Sequence, residues 1–249
     1  MKYHISILLV LILLSCSTDE QIDDSILSDY MEANIDLERD EVIGCAGGKL
    51  DGLLGSPSLP TDVIFYPIDG ATDFRYFEAP ADIDPRDYNA YVRKDLEVDP
   101  LFNGYLLKFN NVAFQGERYG LVTYRTPGRL HMSNPIKLKI NTKPTEVNAD
   151  LLTIIDDGVT PTFRWDDGLI PENAIYFHVV SDLDDNLISG TYTFDREFTF
   201  YDLDNVVLNI TDPSTTPLLE PNQEYKFTMM GVSLDNWVNL LIETRFTTL

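Results

Sequence analysis

Near the C-terminus, Tyr225-Lys226-Phe227-Thr228-Met229-Met230 is followed by the loop Leu234-Asp235-Asn236 and then by the run Val238 to Phe246, and this stretch decides the fold. Phe227 and Met229 alternate with Lys226 and Thr228. Leu240, Ile242, Thr244 and Phe246 alternate in the same way with Leu241, Glu243 and Arg245. A period of two marks strands with one face in a core and the other toward water. The same plan occurs upstream: Tyr119 to Tyr124, a turn at Pro127-Gly128, then Ile136, Leu138 and Ile140 alternating with Lys137, Lys139 and Asn141. No long amphipathic helix interrupts these short, turn-punctuated runs, so the class is all-β. Two such closing pairs, joined at Lys143-Pro144, predict two tandem β-sandwiches over residues 59–142 and 143–249.

The second unit is similar to the fibronectin type III and related immunoglobulin-like domains. Trp165, in Thr162-Phe163-Arg164-Trp165, stands where that family has the core tryptophan of its second strand. Leu219-Glu220-Pro221-Asn222-Gln223-Glu224-Tyr225 matches its tyrosine corner, in which a Tyr hydroxyl bonds back to the preceding turn. The first unit resembles the family at Gly70-Ala71-Thr72 before Phe74 to Phe77 and at Ser133-Asn134-Pro135-Ile136, but lacks a strand tryptophan and the Leu-x-Pro before Tyr119. The resemblance implies an immunoglobulin-like fold and no particular activity.

The other informative segment is the N-terminus, where Lys2 and an apolar run end at Leu13-Leu14-Ser15-Cys16. Ile5 to Leu14 would reach about 15 Å as a helix, half of a ~30 Å bilayer core, so it reads as the apolar part of a signal peptide over residues 1–15. With Ser17-Thr18-Asp19-Glu20 after the cysteine, the stretch resembles bacterial lipoprotein precursors. That resemblance implies acylation (palmitate among the chains) and cleavage at Cys16, giving a body tethered to a membrane by lipid. The acids after the cysteine, Asp19, Glu20, Asp23 and Asp24, interrupted by Gln21 and Ile22, look like the export signal of Bacteroidetes surface lipoproteins. They imply the outer face of the outer membrane. Residues 16–58 read as an acidic, then glycine-rich tether.

Lysine and arginine number 18 against 41 aspartates and glutamates, a net charge of −23. Ser17 to Glu41 carries ten acids against Arg39 alone, and Asp150 to Leu249 carries eighteen against four basic residues. Nucleic acid and anionic lipid surfaces are thereby poor partners, because both are repelled, while cationic partners and divalent ions stay open. Gly44, Gly47, Gly48 and Lys49 fail as a phosphate loop, because the spacing is one residue short and Leu50 replaces the Ser or Thr that would hold Mg²⁺.

Candidates for chemistry are sparse. Cys45 is the single thiol left after Cys16 and reads as a small buried apolar residue. His178 lies in Tyr176 to Val180, a run apolar on both faces, and reads as a hydrogen-bonded packing residue; His131 lies beside a turn. No serine sits in a nucleophile elbow and no His or Cys pair has zinc spacing. Asp182, Asp184 and Asn186 are spaced like the start of a calcium loop, but Leu187 stands where Gly is needed and Thr193 where the closing Glu should be. The expectation is a polar hairpin turn, with structural calcium as the alternative and no cofactor otherwise. Asp166-Asp167-Gly168 and Asp202, Asp204, Asn205 read as turns as well.

Trp237, in a loop before the last strand, is the candidate ligand contact, with Tyr88, Tyr91 and Phe102 in a polar part of the first unit. An exposed tryptophan can stack on a sugar ring or anchor a protein partner. The sequence therefore predicts a non-catalytic binding or structural accessory lipoprotein, partnered by an outer-membrane protein. The alternatives are a surface glycan-binding lipoprotein, favoured by exposed aromatics, and a carbohydrate-active hydrolase, favoured by two carboxylates across a cleft.

Overall fold

The computed structural model describes residues 24–48, 61–110, 112, 116–155, 158–211 and 218–249. The first half comprises α1 (Leu27–Ala33), β1 (Glu38–Val42), β2 (Gly44–Gly47), β3 (Asp62–Phe65), β4 (Thr72–Pro80), β5 (Val92–Lys94), β6 (Val98–Leu101), β7 (Leu106–Phe109), β8 (Arg118–Thr126), β9 (Arg129–Ser133) and β10 (Ile136–Leu138). The second comprises β11 (Glu146–Val147), β12 (Leu152–Ile155), β13 (Thr162–Trp165), β14 (Ile175–Ser181), β15 (Leu187–Thr193), β16 (Glu197–Thr199), β17 (Val206–Asn209), β18 (Glu224–Val232) and β19 (Val238–Thr247). The chain is all-β, as its alternating runs predict.

These strands form four sheets. Sheet I has the order β1-β9-β8-β4-β5, with β10 also paired to β8; sheet II is β2-β3-β7-β6; sheet III is β11-β19-β18-β14-β15-β17; sheet IV is β12-β13-β16. Their cores stack in series. Val63, Phe65, Tyr76, Val122, Tyr124 and Ile136 fill the space between I and II. Phe163, Trp165, Phe198, Phe227, Met229 and Ile242 fill that between III and IV. A third cluster joins the two sandwiches: Ile64, Leu101, Phe102 and Leu106 of the first meet Phe177, Val179, Met230, Val232 and Leu241 of the second.

The period of two explains this stacking. Along β3, Val63 and Phe65 point into the first sandwich while Ile64 points out of it toward sheet III. Along β18, Phe227 and Met229 point into the second sandwich while Met230 and Val232 point out toward sheet II. The strands β3, β14 and most of β18 are thus buried on both faces, whereas the edge strands β6, β11 and β17 are partly exposed. The joint at Lys143-Pro144 divides the chain, but it does not divide the hydrophobic core.

The tether expected over residues 16–58 is corrected from Asp24 to Gly48. Leu27 and Tyr30 of α1 are buried against Phe77, Ala79, Tyr91, Leu121 and Leu130 on the outer face of sheet I. A seven-residue helix is too short to persist alone, so this packing holds it. Asp24 pairs with Arg75, and lies 3.4 Å from Arg93, while the Arg75 guanidinium sits 4.1 Å above the Tyr30 ring. Next, β1 pairs in parallel with β9, where Arg129 is 2.9 Å from Asp40, and β2 forms an edge of sheet II. Many of the acids in this segment are exposed, so its charge density concealed an apolar minority that folds.

Candidate functional site

The seam between sheets II and III is not filled along its whole length. It leaves a cavity of about 310 Å³ whose walls include Ile64 and Phe65 of β3, Leu106 of β7, Phe177 of β14, Met230 of β18 and Leu208 of β17. Polar side chains interrupt these walls: Cys45, Tyr66 and Tyr192, with Glu41, Asn134 and Asn236. Cys45 reaches the cavity because β2 alternates, with Ala46 in the first sandwich and Cys45 on the opposite face. Tyr192 is positioned by β15 and by its ring contact with Phe177, whose centroid is 4.5 Å away.

Burial pushes the Cys45 thiol up to about 12. Burial, with Cys45 and Tyr66 nearby, raises the Tyr192 hydroxyl, and burial with Asp69 and Tyr105 nearby raises that of Tyr66. All three groups are therefore protonated at neutral pH. Neither tyrosine hydroxyl has a hydrogen-bond partner among the described residues. Glu41 belongs to the lining as well, and Ile43, Val207 and Leu208 are each about two-fifths to one-half exposed around it. Tyr66 also borders a second, more open cleft with Ile68, Asp69, Asn103 and Tyr105.

Trp237 is elsewhere, and its expected role as an exposed ligand contact is corrected. Its relative exposure is 0%, and its indole belongs to the core of the first sandwich although its chain segment belongs to the second. Nε1 donates to the carbonyl oxygen of Lys143 at 2.7 Å, and Trp237 forms a parallel bridge with Ala46. The backbone N–H of Ala46 donates to the Asn236 carbonyl at 3.0 Å, and that of Lys137 to the Asp235 carbonyl at 2.9 Å. Tyr91 and Phe102 are buried too. Exposed aromatics, the observation that would favour a glycan-binding surface, are not what these residues provide.

The remaining candidates hold the fold. His178 is fully buried, its Nδ1 2.6 Å from Thr191 Oγ1 and its ring 4.2 Å from that of Phe198; desolvation lowers its pKa to about 3, so it is neutral. His131 stacks on Tyr124 at 4.7 Å, with Nε2 2.8 Å from Thr126 Oγ1. Asp182 spends its carboxylate on the β14–β15 hairpin, accepting from the backbone N–H groups of Asp184 and Asn186, both at 2.9 Å, and from Asn186 Nδ2 at 2.7 Å. Asp184 and Asn186 thus belong to a stapled turn, completed by Asp185 at φ 64° and its pairing with Lys226 at 2.8 Å. Asp167 accepts from Tyr176 and Asn173. Cys16 lies outside the described residues, as do Asp19, Glu20 and Asp23.

Sequence reasoning missed the cavity because its walls come from strands far apart in the chain. A signal was present: the apolar off-phase residues Ile64, Phe177, Val179 and Met230 require a further layer to cover them. No family model matches the chain, and no curated protein matches it in sequence.

Proposed function

We propose that this chain is a lipid-anchored outer-membrane lipoprotein, displayed on the cell surface, that acts as a non-catalytic binding or structural accessory module of a membrane assembly. The lipobox at Leu13-Leu14-Ser15-Cys16 supports the anchor. The observation that carries the binding role is the make-up of the cavity between sheets II and III: largely apolar walls with a few polar side chains, among them the Tyr66 and Tyr192 hydroxyls and a thiol held protonated. Such a site suits recognition, since an apolar pocket with a few placed polar groups binds and orients a molecule.

The short leash supports the accessory role. Cys16 and Asp24 are eight residues apart, and an extended chain spans at most about 3.6 Å per residue, or about 29 Å. The folded body is thereby held close to the bilayer, within reach of a neighbouring membrane protein. Metabolic labelling with a palmitate analogue tests the anchor. The wild-type chain should take the label and fractionate with membranes, and Cys16→Ala should lose both. Membrane retention of an unlabelled Cys16→Ala protein would overturn the lipoprotein reading.

A further inference from the structure

We infer that the cavity between sheets II and III is a binding site for a neutral, largely apolar small molecule of about two rings, oriented by the Tyr192 and Tyr66 hydroxyls. The size follows from the volume. At about 310 Å³ it is roughly twice the ~150 Å³ apolar cavity that accepts one benzene ring, and it lies at the small end of ligand pockets. The chemistry follows from the lining. Ile64, Phe65, Leu106, Phe177 and Met230 offer nothing to a charge, while Glu41 and the net charge of −23 repel anions. Tyr192 sits within electrostatic reach of Cys45 and Tyr66, and Asn134 and Asn236 add amides to the lining. A ligand with an apolar body and one donor or acceptor suits this lining.

Packing supplies a second argument. Protein interiors are close-packed, and elsewhere in this seam Val179, Val238 and Leu241 are buried. The half-buried Tyr192 hydroxyl has no hydrogen-bond partner among the described residues, so its donor is available to a bound molecule. The site deepens the binding reading above and does not depend on the anchor.

The solvatochromic dye 6-propionyl-2-(dimethylamino)naphthalene is a suitable probe, because it is neutral, has two fused rings and carries one carbonyl that accepts a hydrogen bond. In the full chain bearing Cys16→Ser, Cys45 is the sole thiol, so its slow alkylation by N-ethylmaleimide, followed at about pH 9 to raise the thiolate fraction, reports on the cavity. The dye should bind with one-to-one stoichiometry and blue-shifted emission, and should slow Cys45 alkylation at least tenfold at saturation. Ile175→Trp, which fills the cavity from its wall, should abolish both effects, and Val207→Trp at the exposed rim serves the same purpose if the first variant does not fold. Tyr192→Phe should weaken binding about fivefold, the loss of one hydrogen bond. Absence of dye binding, or dye binding that leaves Cys45 alkylation unchanged, overturns the site. Both results are independent of whether the natural chain carries lipid.

Discussion

Trp237 Nε1 and the Lys143 carbonyl oxygen are 2.7 Å apart, so the tryptophan that opens the last strand is hydrogen-bonded to the segment that joins the two halves of the chain. The indole ring meanwhile lies in the core between sheets I and II. One side chain thus contributes to the first sandwich, the junction and the second sandwich together. Around it, Lys139 pairs with Asp235 at 2.8 Å, and Thr145 Oγ1 donates to the Val238 carbonyl at 2.7 Å.

Trp237→Ala should accordingly cost about 3 to 5 kcal/mol, the range for large aromatic truncations in a core. Trp237→Phe keeps much of the apolar area and should cost less. Chemical denaturation followed by circular dichroism gives both values. A Trp237→Ala protein within about 0.5 kcal/mol of wild type contradicts the buried position, since changes of that size are typical of surface sites.

Tyr225 accepts the Glu220 backbone N–H at 3.0 Å through its hydroxyl, the bond expected of the corner in Leu219 to Tyr225. Removing that bond in Tyr225→Phe should cost about 1 kcal/mol. Tyr225→Ala also opens a cavity beside Phe246, whose ring is 5.8 Å away, and should cost about 3 to 5 kcal/mol. The ordering of the two variants in the same denaturant series is the check.

His178 should make stability depend on pH. Its pKa is lowered to about 3 by burial, against about 6.5 in an unfolded chain. Between those values the unfolded state binds a proton that the native state does not, so the contribution is complete above about pH 6.5 and is lost as pH falls toward 3. The slope from one such group is at most about 1.4 kcal/mol per pH unit. His178→Gln should be less stable at neutral pH yet show a shallower decline from pH 6.5 to 4.5. Parallel profiles for variant and wild type would show that His178 is not desolvated.

Surface display should depend on Asp19, Glu20 and Asp23 but be read without touching Asp24, which pairs with Arg75 and Arg93 and helps dock α1. Replacing the first three by Ala should leave acylation intact and reduce protease accessibility on whole cells. Asp24→Ala alone should lower stability and leave display unchanged. Wild-type protein that is already shielded in intact cells contradicts the outward orientation.

Much of the fold could be read from the sequence where one face of a strand is polar. Ile136 to Leu138 and Val238 to Phe246 alternate visibly, and the Tyr225 corner and Trp165 mark the second sandwich. What escaped was the layer that covers the second side. A period-two argument assigns one face to a core: for β18 it places Phe227 and leaves Met230 without a destination, and for β14 the run Tyr176 to Val180 is apolar on both faces without showing what covers Phe177. Residues 24–48 escaped for a different reason: ten acids from Ser17 to Glu41 dominate the composition, and the few residues that fold the segment, Leu27, Tyr30 and Val42, are outnumbered. The cavity depends on both, since Cys45 and Ile43 come from the segment read as tether and Phe177 and Met230 from the unassigned faces.

The central claim is that the two sandwiches form one body through the shared seam and Trp237, and equilibrium unfolding tests it most directly. The full chain carrying Cys16→Ser should be unfolded in denaturant and followed by tryptophan fluorescence, reporting Trp165 and Trp237, and by far-ultraviolet circular dichroism, reporting all four sheets. The account predicts coincident single transitions, and an isolated 143–249 fragment with a much lower midpoint because Phe177, Met230, Leu241 and Trp237 lose their cover. Two separated transitions in the full chain, or a fragment that unfolds at the midpoint of the whole, would contradict it.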